Sequence, residues 1–286
     1  MLLRAFQVRI TLCILNQISA QRPLYVFVHI PRTGGMNFGS ALTSLVSKDF
    51  NVCHMRHISF TNEPWPSMFG RIEGDLAMEK RLSQALLKCD VLWDHFDYGV
   101  PELIRRVTNR DIRIITQLRP PVERFLSSHF KQYGNTDSTF AQSRLQSRIN
   151  ELETGTEGLL KHTLSGYFSG CAVVFDPVRH AEICSNFSKT YSFAFASMKD
   201  TRLLGLTQSA ANALKHIYQD MYPNSAEISL DIIRDDFLSE IGGQWYSNLI
   251  SKEDRSKLSR VFSQDEELYH KAVNYVRTKD EMRSEL

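Results

Sequence analysis

Three stretches of the chain bring cationic, hydroxyl and imidazole side chains together with glycines or with the ends of apolar runs. The first is His29-Ile30-Pro31-Arg32-Thr33-Gly34-Gly35-Met36-Asn37-Phe38. Its glycines let the backbone approach an anion closely. Arg32 adds a fixed positive charge, and Thr33 and Asn37 supply side-chain donors. The stretch lacks GxxxxGK followed by Ser or Thr, so it does not match the magnesium-dependent phosphate loop of nucleotide hydrolases. Taken alone, it reads equally well as a plain strand-to-helix turn kept tight by glycine.

The second stretch is Gln117-Leu118-Arg119-Pro120-Pro121-Val122-Glu123-Arg124-Phe125-Leu126-Ser127-Ser128. Arg119 falls at the end of an apolar run, and Ser127 lies two turns into the helix that follows. A guanidinium and a hydroxyl converging there make a phosphate clamp. Arg124 reads as an ordinary helix surface charge. The third is Asp94-His95-Phe96-Asp97-Tyr98-Gly99, directly after another apolar run. A neutral imidazole accepts a proton from an attacking hydroxyl near neutral pH. For any one of the nine histidines a structural role is the commoner one. The place of His95 at a strand end, beside two anion sites, favours the base.

The elements that must position these groups follow from periodicity. Leu24-Tyr25-Val26-Phe27-Val28-His29 is a continuous run of β-branched, aromatic and apolar residues, as in a parallel strand buried on both faces. Phe38, Ala41, Leu42, Leu45 and Val46 then recur at helical spacing. Strand, glycine turn and helix together present backbone N–H groups to an anion at a helix N-terminus. Further strands are expected at 51–58, 89–93 and 112–118, and helices at 78–87 and 103–107. Pro121 suits a helix first turn, and Val122, Phe125, Leu126 and His129 or Phe130 mark that helix as amphipathic. Beyond about residue 140 the chain reads as mostly helical, most clearly at 210–218 and 258–277. Alternating strands and helices predict an α/β fold, a parallel sheet covered on both faces. Ligands in such sheets bind outside the C-terminal strand ends. Trp65, Phe96, Tyr98 and His129 are candidates for the wall of that cleft, although loop aromatics more often pack inside.

The 286 residues, 42% hydrophobic and 23% charged, suit an ordinary globular domain. No linker-like composition divides them, so one domain over 23–280 is expected after a lead segment, 1–22. The net charge of +2 and a pI of about 8.2 do not suit a nucleic-acid binder, where the domain pI usually exceeds about 9. Residues 1–20 have two readings. One is a short secretory signal with a basic start, an apolar centre and a small residue at Ala20; the other is an amphipathic lead-in to the first strand. The apolar centre is too short to span a membrane as a helix of about 20 residues. The five cysteines include no CxxC pair, so no zinc site is expected. Cys171 and Cys184 are near enough in sequence to close a small disulfide loop. Asn186-Phe187-Ser188 is a glycosylation sequon. These features lean towards a secretory-pathway lumen, with the cytoplasm as the alternative.

The first two motifs also carry a family resemblance. Residues 28–38 resemble the 5'-phosphosulfate loop of sulfotransferases that modify carbohydrates using 3'-phosphoadenylyl sulfate (PAPS). Residues 118–127 resemble the 3'-phosphate motif of the same enzymes. Leu203-Leu204-Gly205-Leu206-Thr207 and Asp265-Glu266-Glu267-Leu268-Tyr269-His270-Lys271-Ala272 are similar to later stretches. The heparan sulfate 6-O-sulfotransferases and related Golgi enzymes are the relatives in view, and the resemblance runs patchily over 24–276. It implies a P-loop-like sulfotransferase fold, PAPS as donor without a metal, and a hydroxyl acceptor, most readily on a carbohydrate. It implies that Pro31, Arg32, Thr33, Gly34, Gly35, Met36, Asn37 and Phe38 form the 5' side of the donor site. Arg119 and Ser127 would hold the 3'-phosphate, with His95 as general base and Arg32 offsetting charge on the departing phosphate.

The chain departs from the family at three points. Arg32 stands where the loop usually has Lys, exchanging a mobile point charge for a planar fork. Met36 removes a hydroxyl donor. Pro120 stands where Asp is frequent. Two alternatives remain at this level: a nucleotide or sugar kinase, and a non-catalytic nucleotide- or glycan-binding relative. Acceptor identity, membrane association and oligomeric state are not legible.

Overall fold

A computed structural model describes residues 22–55, 72, 75–133, 138–154, 163–172, 183–185, 187–201, 203–206, 210–224 and 249–284. The elements in chain order are β1 (Leu24–Val28), α1 (Gly35–Val46), β2 (Val52–His54), α2 (Leu76–Leu86), β3 (Val91–Asp94), α3 (Gly99–Val107), β4 (Ile112–Leu118) and α4 (Pro121–Tyr133). They continue with α5 (Ser138–Glu153), α6 (Leu164–Ser169), α7 (Phe187–Asp200), β5 (Leu203–Leu206), α8 (Ala210–Met221), α9 (Lys252–Val261) and α10 (Ser263–Ser284). The strands form one five-stranded sheet in the order β2-β3-β1-β4-β5, every neighbouring pair parallel. This is the α/β class expected, with helices on both faces. From Pro121 onward the described elements are helical except for β5, a strand that periodicity did not signal.

The alternation of β1 divides the core. Leu24, Val26 and Val28 face one side, where Ile114 and Leu118 of β4 pack with residues of α3, α6, α7 and α10. Tyr25 and Phe27 face the other, with Ile115 of β4 and the apolar stripes of α1 and α8. A strand sandwiched this way must be apolar at every position, which is why its sequence shows no polar alternation. A third cluster joins Val122, Phe125, Leu126 and Phe130 of α4 to α5 and α9. That cluster anchors the helix that carries Ser127.

Caps fix several helix starts. The Asp75 carboxylate accepts from the Ala77 and Met78 amides of α2. The Thr163 hydroxyl accepts from Gly166 in α6, and the Asp265 carboxylate of α10 accepts from the Leu164 and Ser165 amides. With that Asp75 cap α2 begins at Leu76, earlier than periodicity indicated; α3 also begins early, at Gly99, and β3 begins at Val91 rather than residue 89. The expected strand at 51–58 is ordered as β2 over Val52–His54, and 56–58 lie outside the described residues, as do 1–20, Trp65, Asn186 and Thr207.

Cys171 and Cys184 are joined by a disulfide, and so are Cys53 and Cys89, a pair sequence did not suggest. Two disulfides suit a secreted or lumenal protein, because cytosolic thiols are held reduced. Among the described residues no helix is long and apolar enough to cross a membrane.

Candidate anion and proton-transfer site

β1, β3 and β4 all end at the same edge of the sheet, and each hands its last residues to the candidate site. After β1 the backbone turns through Pro31–Gly34 into α1. Two residues of that turn have positive φ, Arg32 at 69° and Gly34 at 79°. Glycine takes that conformation readily, and arginine does so at a cost of about 1–2 kcal/mol. Gly34 is the N-cap of α1, and no side chain caps that helix and no acidic residue occupies its first turn. A helix start of this kind presents unsatisfied amides and the positive end of the dipole.

The turn's own residues divide by role. The Thr33 hydroxyl is buried and donates to the Ile30 carbonyl at 2.8 Å, so it shapes the turn. Phe38 is fully buried against Phe27, and its amide donates to the Gly34 carbonyl at 3.1 Å. The Phe38 side chain thus supplies packing beneath the turn. Pro31, Arg32 and Asn37 are partly exposed, Gly34 is exposed, and Met36 is 49% exposed at the first turn.

Arg32 reaches across to α4. Its Nη2 donates to Ser127 Oγ at 3.0 Å and its Nε to the same oxygen at 3.3 Å. Arg119 Nη1 in turn donates to the Arg32 carbonyl at 3.5 Å. The two motifs expected to form separate pockets are thus joined: Ser127, assigned with Arg119, meets Arg32 directly. A cationic strip runs along one sheet edge.

His95 follows β3 and is half-buried. Its amide donates to the carboxylate of buried Asp94 at 2.8 Å, which pins the backbone at the strand end. Its ring lies 4.0 Å, centroid to centroid, from that of His29. In the sequence His29 ends the first strand-like run and opens the loop motif, with no sign of a role of its own. The structure makes it the buried member of an imidazole pair. Burial, the adjacent His95 and the Arg32 guanidinium push His29 down to about 3, so it stays neutral. The signal for it lies in register. Val28 pairs with Asp94, so the next residue of each strand, both on the same face as Phe27 and Trp93, must adjoin. Gln117, on the corresponding face of β4, is buried too.

Other expectations fail on burial. Phe96, Tyr98 and His129 are all buried, and none lines an open cleft. Phe96 and Tyr98 belong to the main core, and the His129 ring is bonded to the Ala141 carbonyl. Arg124 is not a surface charge but is 4% exposed, its guanidinium over the Tyr167 ring with buried Asp265 near by. It ties α4 to α6 and α10. Asp97 is likewise structural, accepting from the Gly99 and Ala172 amides. Among the described residues no group of three or more His, Cys, Asp or Glu side chains is arranged to hold a metal ion.

Comparison of the chain with models of known protein families and with curated proteins finds no match.

Proposed function

We propose that the protein is a sulfotransferase that moves a sulfuryl group from PAPS to a hydroxyl acceptor, most readily on a carbohydrate, in a Golgi-type lumen and on a P-loop-like fold. The observation that carries the reading is the linked trio Arg32, Ser127 and Arg119 at the sheet edge where His95 also stands. A donor with phosphates at its 3' and 5' positions needs two cationic grips on one side of the molecule. The residues present fit that need. The uncapped start of α1 and Arg32 suit the 5' side, and Arg119 suits the 3'-phosphate. Ser127 is shared, and it exchanges its bond to Arg32 for a phosphate oxygen when the donor is held.

The chemistry then follows from charge. The acceptor oxygen forms a bond to sulfur as the bond from sulfur to the phosphate oxygen breaks. The hydroxyl proton goes to His95, which is half-exposed where its partner His29 is sealed, and the electron pair leaves with the bisphosphate. Arg32 and the first amides of α1 face the oxygen on which that charge collects, and such preorganised donors are usually the largest contribution. A general base adds about 10²–10⁴ in rate.

The test is labelled-sulfate transfer from PAPS to a panel of glycans, with ATP and phenolic acceptors as controls. His95→Ala should abolish most transfer while binding of adenosine 3',5'-bisphosphate survives. Equal loss of both would remove His95 from the role of base. Tight ATP binding without bisphosphate binding would favour a kinase instead.

A further inference from the structure

His29 lies between two parts of the site, the turn into α1 and the residue that follows β3; the chemical consequence rests on the sulfotransferase reading, the geometry does not. His29 is 2% exposed, so neither donor nor acceptor reaches it. Its ring is held on several sides. Phe27 stacks at 5.8 Å, Trp93 flanks it at 6.4 Å, and the His95 ring lies at 4.0 Å. Its Cδ2–Nε2 edge is pressed against Gly35: a Cβ on that residue would stand 2.0 Å from Cδ2 and 2.4 Å from Nε2. Its Nδ1 has no hydrogen-bond partner among the described residues. A ring that is neutral and sealed acts by contact, not by charge.

Gly35 is the first residue of α1, beside the amides that would face an anion. One rigid ring therefore touches the anion-binding turn with its edge and the candidate base with its face. We propose that His29 is a positioning residue that fixes the orientation of the His95 ring and transmits the state of the Gly34-Gly35 turn to it. An anion seated on the turn and the base opposite it are then set in one movement. Misplacing a reacting group by about 1 Å costs about 10²-fold in rate, so losing His29 acts on turnover and leaves donor binding nearly intact.

The experiment records histidine ring resonances of the full chain by NMR, with adenosine 3',5'-bisphosphate as the probe. Wild-type His95 should give one narrow signal that shifts as the bisphosphate binds. In His29→Ala that signal should broaden or split as the ring samples other rotamers, and its response to the bisphosphate should vanish. Bisphosphate affinity should change by less than about twofold, and kcat should fall by about 10–100-fold with the donor KM nearly constant. Gly35→Ala keeps the histidine but drives a methyl group into its edge, and it should disturb the same His95 signal if His29→Ala does not fold. A folded variant whose His95 line shape and bisphosphate response match the wild type overturns the proposal. If the wild type itself binds no bisphosphate, the sulfotransferase reading falls, and the line shapes still decide whether His29 positions its neighbour.

Discussion

Arg32 shows a conflict between local conformation and charge. Its φ of 69° puts a residue that bears a Cβ where glycine belongs, yet its guanidinium is what reaches Ser127. Replacing it separates the two effects. Arg32→Gly should be more stable than Arg32→Ala by up to about 1 kcal/mol in denaturant titrations, since only glycine relieves the left-handed strain. Both should lose bisphosphate affinity by a similar factor, about 10–100, the worth of a charge-assisted hydrogen bond. Equal stability of the two variants would mean the turn stores no strain. His29 makes a second prediction. In the folded chain it stays neutral down to about pH 3, whereas the unfolded chain protonates it near its ordinary value of 6.5. The unfolded state therefore binds the extra proton as pH falls below 6.5, and stability drops by about 1.4 kcal/mol per pH unit from this residue alone. Above that pH the residue contributes no slope. His129, also lowered chiefly by burial, acts in the same direction. Urea midpoints measured from pH 7 to pH 4 should fall less steeply in His29→Asn than in the wild type.

Among the elements, α1 matters most for the candidate site, because two of its glycines lie directly against side chains of the sheet. Gly35 and Gly39 sit one turn apart on the same face. A Cβ on Gly39 would meet the Trp93 ring at 2.7 Å, just as one on Gly35 meets His29. The missing side chains let the helix start descend towards the strand ends, against the rings of His29 and Trp93. Gly39→Ala keeps helix propensity high but forces α1 or Trp93 to move. Overpacking of this kind costs about 1–3 kcal/mol, and thermal melting should show a drop of several degrees. An unchanged melting temperature would show that Trp93 yields freely. β1, β4, α1 and α4 were legible because their apolar runs and stripes are unbroken. β5 was not, for Leu203-Leu204-Gly205-Leu206 is too short to show a period, and its strand state comes from pairing with β4. Arg32, Arg119 and His95 follow the ends of β1, β4 and β3 and Ser127 lies two turns into α4, which are the chain positions that periodicity indicated. His29 was not, because its role depends on the register between β1 and β3, a property of two strands far apart in sequence.

At the scale of the whole molecule, the sheet edges and the helical half are secured by different means. Among the described residues β2 is an edge strand of three half-buried residues paired with β3 alone, too short to hold itself. The Cys53–Cys89 disulfide, with a sequence separation of 36, ties it to the residues just before β3. The Cys171–Cys184 bridge, with a separation of 13, closes a loop between α6 and α7. In the chain-entropy view the longer loop gains more from closure, about 4 kcal/mol against about 3 kcal/mol. The longer bridge is also linked to the candidate site through packed rings. His54, next to Cys53, packs its ring 4.1 Å from Trp93, which in turn flanks His29. The double variant Cys53→Ser with Cys89→Ser should therefore lose more thermal stability than Cys171→Ser with Cys184→Ser. It should also broaden the histidine signals at the sheet edge, which the second double variant should leave narrow. Differential scanning calorimetry and the same histidine spectra check both expectations. The reverse order, with the shorter loop costing more, would mean that β2 is held by its hydrogen bonds and that the bridge only decorates it.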